Sequence, residues 1–184
     1  MKRIALLLIA MLTLGFAAQA QSTFSKGTTP ANLGLGIGGT LISGDYNVIL
    51  PPLSLGIDHS VVSGLFDGNG SIGVGGYIGA EVYRYKGYDK SVWSQTLIGP
   101  RGSLHYQFVD KLDTYFSLML GVDIISWNYN MKMADIAIKD KDTSVGFGWG
   151  AHFGARYYLS DRWAIMGELG YGLTFLTLGA TYRF

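Results

Sequence analysis

From Leu33 onward, large apolar side chains occupy every second position in runs separated by turn-forming residues. Leu33, Leu35 and Ile37 alternate with Gly34, Gly36 and Gly38, and Leu53, Leu55 and Ile57 alternate with Ser54, Gly56 and Asp58. Ile78, Ala80 and Val82 interleave with Gly79, Glu81 and Tyr83; Leu104, Tyr106 and Phe108 interleave with Ser103, His105 and Gln107. Phe116, Leu118, Leu120, Val122 and Ile124 are separated by Ser117, Met119, Gly121 and Asp123. Phe147, Trp149, Ala151 and Phe153 alternate with Gly148, Gly150, His152 and Gly154, and the rhythm runs on through Arg156 and Tyr157. Trp163, Ile165 and Leu169 flank Met166 and Glu168, and Leu176, Leu178, Ala180, Tyr182 and Phe184 enclose Thr177, Gly179, Thr181 and Arg183. A period of two marks strands with two unlike faces. The eight runs predict eight strands of about ten residues or a little longer.

Which face is solvated follows from what each carries. One face is a nearly unbroken wall of Leu, Ile, Val, Phe, Tyr and Trp. The other holds glycines together with Asp58, Glu81, Arg101, Asp123, Arg156, Glu168 and Arg183. A soluble sheet turns its apolar face inward and its polar face to water. Charges that reside inside and a continuous apolar exterior fit a barrel surrounded by hydrocarbon, closed so that no strand edge is left unpaired. The predicted fold is all-β, an eight-stranded antiparallel up-and-down transmembrane β-barrel over residues 31–184. Tyr and Trp near the run ends, including Tyr83, Tyr85, Trp127, Trp149, Tyr157 and Trp163, suit aromatic girdles at the two water–lipid boundaries.

The first twenty residues do not share this pattern. Lys2 and Arg3 precede an apolar stretch from Ile4 to Ala17, and Ala18-Gln19-Ala20 forms a small-x-small cleavage site before Gln21. Residues 1–20 are therefore expected to be a removed signal peptide, followed by a short N-terminal segment, 21–30. The chain has 27 glycines, 4 prolines and no cysteine. Without cysteine there is no lipoprotein anchor, disulfide framework or thiolate metal site. The formal net charge of +1 provides no basic field for nucleic acid.

Connection lengths predict the topology. Ser63–Asn69, Val109–Leu112 and Ser160–Arg162 are read as turns, whereas Gly44–Pro52, Lys86–Gln95 and Asn128–Thr143 are read as longer loops. That places both termini and the short turns on the periplasmic side. Within 128–143, Tyr129, Met131 and Met133 keep the period of two beyond Trp127. Strands five and six are therefore expected to protrude as a hairpin, tipped by Lys139-Asp140-Lys141-Asp142. Such a hairpin, or a solvated loop in its place, is the segment expected to meet a surface partner.

Together these features resemble the small outer membrane β-barrels of Gram-negative bacteria, the outer membrane protein A/X-like class. The last strand, Thr177 to Phe184, is the most telling piece: its alternating aromatics and aliphatics, with Tyr182 and the terminal Phe184, are similar to the family's signal for the barrel-assembly machinery. The resemblance implies an integral outer membrane protein contacting lipid and lipopolysaccharide, with no peptidoglycan-binding domain after the barrel. It specifies architecture more than activity. A non-enzymatic structural or surface-contact role, in adhesion or host contact, is the leading expectation. A lipid-modifying enzyme and a narrow pore are the alternatives.

Candidate chemistry is sparse. Gly34-Leu35-Gly36-Ile37-Gly38-Gly39 matches a dinucleotide fingerprint formally but lies within a strand with no helix following. Its glycines are better read as freeing lumen space. Lipid A deacylases of this size use a His-x-Ser pair, and His152-Phe153-Gly154 puts glycine where that serine is needed. Ser103, His105 and Asp123 are the one Ser/His/Asp set available, and it depends on register. No two histidines stand at metal-ligand spacing, and no cofactor is implied. The seven inward charged residues are expected to form a structural ion-pair network, with Arg156 on strand six facing Glu168 on strand seven and Arg183 on the next strand along. Pro100 removes one ladder donor and is expected to mark a bulge at the outer rim.

Overall fold

The computed structural model describes residues 23–40, 46–85, 91–133 and 136–184, with no side-chain description for 130–139. The expected signal peptide lies outside these residues. Eight antiparallel strands form a closed barrel in sequence order: β1 (Pro30–Gly39), β2 (Tyr46–Leu65), β3 (Gly70–Tyr85), β4 (Val92–Val109), β5 (Leu112–Met133), β6 (Ile136–Tyr158), β7 (Trp163–Tyr171) and β8 (Thr174–Arg183). Closure is made by β1 and β8, in register from Pro30↔Arg183 to Gly39↔Thr174.

The alternation sorts the side chains as the pattern requires. Leu33, Leu55, Val74, Ile98, Leu118, Phe147, Phe153, Ile165 and Leu178 stand on the outside and are exposed. Ser54, Asp58, Glu81, Arg101, His105, Ser117, Arg156, Glu168 and Thr181 point inward and are buried. Inward glycines leave room for neighbours: a Cβ on Gly154 would enter the Tyr115 ring, and one on Gly73 would meet Asp58 and Ser103. Part of the glycine content therefore serves lumen packing.

The wall is not level. β7 and β8 span 9 and 10 residues, whereas β5 and β6 span 22 and 23. The end carrying the termini is trimmed by tight turns. One of them, Asp110-Lys111, holds Lys111 at φ +63°, and the Leu65–Gly70 turn uses Gly68 at φ +96°. At the opposite end the strands run on where longer loops were expected. Tyr46–Pro52 belongs to β2, and most of 128–143 belongs to the β5–β6 ladder. That ladder extends to Met133↔Ile136, beyond the charged run. The charged run is therefore not the tip. Lys139, Asp140, Lys141 and Asp142 lie along the returning strand, opposite Asn130, Tyr129, Asn128 and Trp127. Pro100 sits mid-strand on the outer face, and the β4–β5 register is the same on both sides of it, Ile98↔Val122 and Arg101↔Met119. The ladder thus absorbs the lost donor without a bulge.

Candidate functional site

The lumen is stacked in layers, each built by positions of one parity on several strands. Nearest the termini, residues 23–29 fold across the barrel mouth. The backbone N–H of Thr23 donates to Gln107 Oε1 at 2.6 Å, Ser71 Oγ donates to the Phe24 carbonyl at 2.7 Å, and Arg183 donates to the Thr23 carbonyl at 2.9 Å. Phe24, 2% exposed, stacks on the His105 imidazole with ring centroids 3.7 Å apart. Arg183 lies over the Tyr158 ring.

Above this strap sits a charged quartet. Arg156 donates to Asp113 Oδ2 at 2.9 Å and to Asp58 Oδ2 at 3.4 Å. His105 bridges the same two carboxylates, with Nδ1 2.8 Å from Asp113 Oδ1 and Nε2 3.0 Å from Asp58 Oδ2. Ser103 Oγ donates to Asp58 and stands 2.8 Å from His105 Nε2. All of these residues are buried. One layer further, Arg101 reaches Glu168 at 2.5 Å, Tyr115 donates its hydroxyl to the same carboxylate at 2.7 Å, and both arginines lie over the Tyr115 ring, Arg156 at 4.3 Å. Charges with this little water require partners, and these have them.

A dry layer follows: Tyr77, Leu97, Met119 and Leu173 form a buried apolar cluster. Leu173 comes from the short β7–β8 connection and reaches far enough across the lumen that a Cβ on Gly79 of β3 would touch it. Beyond the dry layer lie Glu81, whose Oε2 accepts from the Tyr83 hydroxyl, and Asp123, which accepts from Gln95 Nε2 at 2.9 and 3.0 Å.

The seven expected network residues thus divide. Asp58, Arg101, Arg156 and Glu168 are in ion pairs, in two groups; among the described residues Glu81, Asp123 and Arg183 are in none. The expected Arg156–Glu168 contact is replaced by Arg101–Glu168, and Glu168 stands opposite Gly154 while Arg156 stands opposite Met166. Long side chains span the lumen and find partners across it. Asp123 is also remote from His105: Ser103 pairs with Ser117, and Asp123 is six residues further along β5, roughly 20 Å. The carboxylates beside His105 are Asp58 and Asp113 instead. Sequence reasoning missed Asp113, which shares the inward parity of Tyr115 and Ser117 but lies between the Val109–Leu112 turn and the apolar run that begins at Phe116. The aromatic expectation also divides. Phe108, Tyr157, Trp163 and Phe184 stand outside at the terminal end and Trp149 and Tyr171 at the other, whereas Tyr77, Tyr83, Trp93, Tyr115 and Tyr158 are buried inside.

No protein-family model matches the chain, and no curated protein matches it in sequence. Solved structures do match in shape. Ail, the attachment invasion locus protein of Yersinia pestis, aligns with TM-score 0.54 at 11% identity, over 86% of this chain and 99% of that one. The chain has the fold of the small outer membrane β-barrels. A second structure of Ail, in complex with the heparin analogue sucrose octasulfate, gives this barrel a TM-score of 0.51 at 12% identity, over 86% of this chain and 99% of that one. The N-terminal β-barrel domain of Pseudomonas aeruginosa OprF aligns at 13% identity and TM-score 0.43, over 86% of this chain and 98% of that one.

Proposed function

We propose that the protein is an integral, non-enzymatic barrel of a Gram-negative outer membrane that makes surface contacts through the β5–β6 hairpin. The exposed apolar belt supports the membrane placement. On β6 the outward residues are apolar from Tyr157 to Val145 and become polar at Thr143; on β5 they are apolar from Phe116 to Ile124 and polar at Ser126. Ile124 and Val145 are paired, so both strands leave the belt at one level. About eight residues per arm lie beyond it, roughly 26 Å along the strand.

The observation that carries the reading is the free edge of β6. Pairing with β7 stops at Ala151↔Tyr171, so among the described residues Ile136–Gly150 is bonded to β5 on one side alone. An unpaired edge is a template for strand addition by a partner, and the lysines and aspartates along it deter indiscriminate pairing. The lumen supports a contact role over a pore, because the Tyr77–Leu97–Met119–Leu173 layer and the ion-paired layers lie in series across it.

The register indicates how to test this. Trp127 and Asp142 face each other, so replacing Asn128–Lys141 with Asn-Gly closes a two-residue hairpin on an intact barrel. Cells displaying the shortened protein at equal surface level should attach less to epithelial monolayers and to immobilised matrix protein than cells displaying the parent. Equal attachment would overturn the assignment of contact to this hairpin.

A further inference from the structure

We propose that the open end of the lumen holds a binding site for a small organic cation of the alkylammonium type, with Glu81 and Asp123 as its counter-charges and Tyr83, Trp93 and Trp127 as its walls. The two carboxylates lie on the side of the dry layer away from the arginines. Arg101 is engaged with Glu168, Arg156 with Asp58 and Asp113, and Arg84 has the outward parity of β3 and is exposed. Among the described residues, no cation pairs with Glu81 or Asp123.

The site carries unused acceptors. Glu81 is 0% exposed, and its Oε1 has no partner; Gln95, 2% exposed, donates to Asp123 through Nε2 and leaves its own Oε1 unpartnered. Buried acceptors without donors are costly, and a cation with N–H groups or a soft positive surface satisfies them. Gln95 stands opposite Glu81 in the β3–β4 ladder, so both orphan oxygens belong to one level of the lumen.

Aromatic rings enclose the next level. Tyr83 pairs with Trp93, and Trp93 with Trp127, across three adjacent strands of the same inward parity. Their centroids are 5.9 and 6.0 Å apart, and Tyr46 meets Tyr83 edge-on at 4.9 Å. One level further out, Tyr85, Trp127 and Tyr129 border a rim pocket of about 170 Å³. Tyr83 and Trp93 are buried, Trp127 is half-buried and Tyr129 is exposed, so burial increases from the rim toward the carboxylates. Indole and phenol faces attract cations. Calcium and magnesium instead demand a shell of oxygen ligands, which these walls do not offer. The chemistry favours a weakly hydrated organic ammonium over a metal ion.

The test uses the folded full barrel in detergent micelles, with indole N–H resonances as the readout. Titration with n-butylammonium and tetramethylammonium should shift the Trp93 and Trp127 signals saturably, leaving Trp149 and Trp163, on the lipid face, unmoved. Neutral n-butanol should not reproduce the shifts, and calcium should not compete. Glu81→Gln and Asp123→Asn should each weaken binding at least about tenfold, the loss of one charge-assisted partner. Asp123 is only half-buried, so its variant keeps the test available if Glu81→Gln folds poorly, and the ammonium-versus-alcohol comparison needs no variant. Equal response to butanol, preferential binding of calcium, or unchanged affinity in a folded carboxamide variant would each overturn the proposal. The readout does not depend on cell attachment, so failure here leaves the hairpin reading intact.

Discussion

Replacing Glu168 with alanine removes the one carboxylate of the second polar layer. Glu168 accepts from Arg101 at 2.5 Å and from the Tyr115 hydroxyl at 2.7 Å, and each side chain in the ion pair is 3% exposed. The variant leaves a guanidinium and a phenol without acceptors in a space closed above by Met119 and Leu97 and below by the Asp58–Arg156 layer. Breaking a buried pair at one partner costs about 3–5 kcal/mol. With a urea slope of about 2 kcal/mol/M, the unfolding midpoint should fall by roughly 2 M. Glu168→Gln keeps one carbonyl oxygen that Tyr115 and Arg101 can share but loses the charge, and should lose about half as much. Removing both partners, as in Glu168→Ala with Arg101→Met, should recover part of the loss, because no charge then stays buried alone. The assay is reversible urea unfolding of the refolded barrel in micelles, followed by tryptophan fluorescence and by the gel shift of the heat-modifiable form. A Glu168→Ala midpoint within about 0.3 M of the parent, or a double variant weaker than the single, would show that water reaches Arg101 and that the pairing does not stabilise the barrel.

Other perturbations address packing and assembly. Gly154→Val forces a side chain into the space of the Tyr115 ring and should lower stability by about 1–3 kcal/mol with the barrel still inserted, whereas Gly102→Val, on the open outer face, should be nearly neutral; unfolding midpoints in the same micelles compare the two. Deleting Phe184, which is 76% exposed and meets Tyr182 edge-on at 5.1 Å, should reduce the folded, membrane-inserted fraction while export to the periplasm continues; quantifying the heat-modifiable band in membrane fractions checks it.

Much of this was legible in one dimension because a strand states its two faces in alternate letters. Eight runs, an apolar outside and a polar inside followed from parity alone, and so did the use of glycine opposite large inward rings, as at Gly154 and Tyr115. Partner choice was less legible. Parity tells which side a charge faces but not its register: Arg156 stands directly opposite Asp113 and reaches Asp58 across the lumen, while Glu168 is opposite Gly154. Asp113 follows a tight turn, and its polar neighbours hid its inward parity. Residue type misled where parity would have served: Tyr83, Trp93 and Trp127 are aromatics near strand ends, yet they face inward. The hairpin tip was misplaced for a related reason. Lys139–Asp142 resembles a solvated turn in composition, yet the ladder passes through it, from Asn130↔Lys139 to Trp127↔Asp142.

The strap across the terminal mouth ties the first described residues to the middle and the end of the chain. Thr23 is joined to Gln107, 84 residues away, and to Arg183, 160 residues away. Phe24 lies on His105 and covers the layer in which Arg156 meets Asp58 and Asp113, so opening the strap would admit water there. The attraction between Arg156 and the two carboxylates is stronger while that water is kept out, because it grows as the local dielectric falls. The charged floor and its cover therefore stabilise one another.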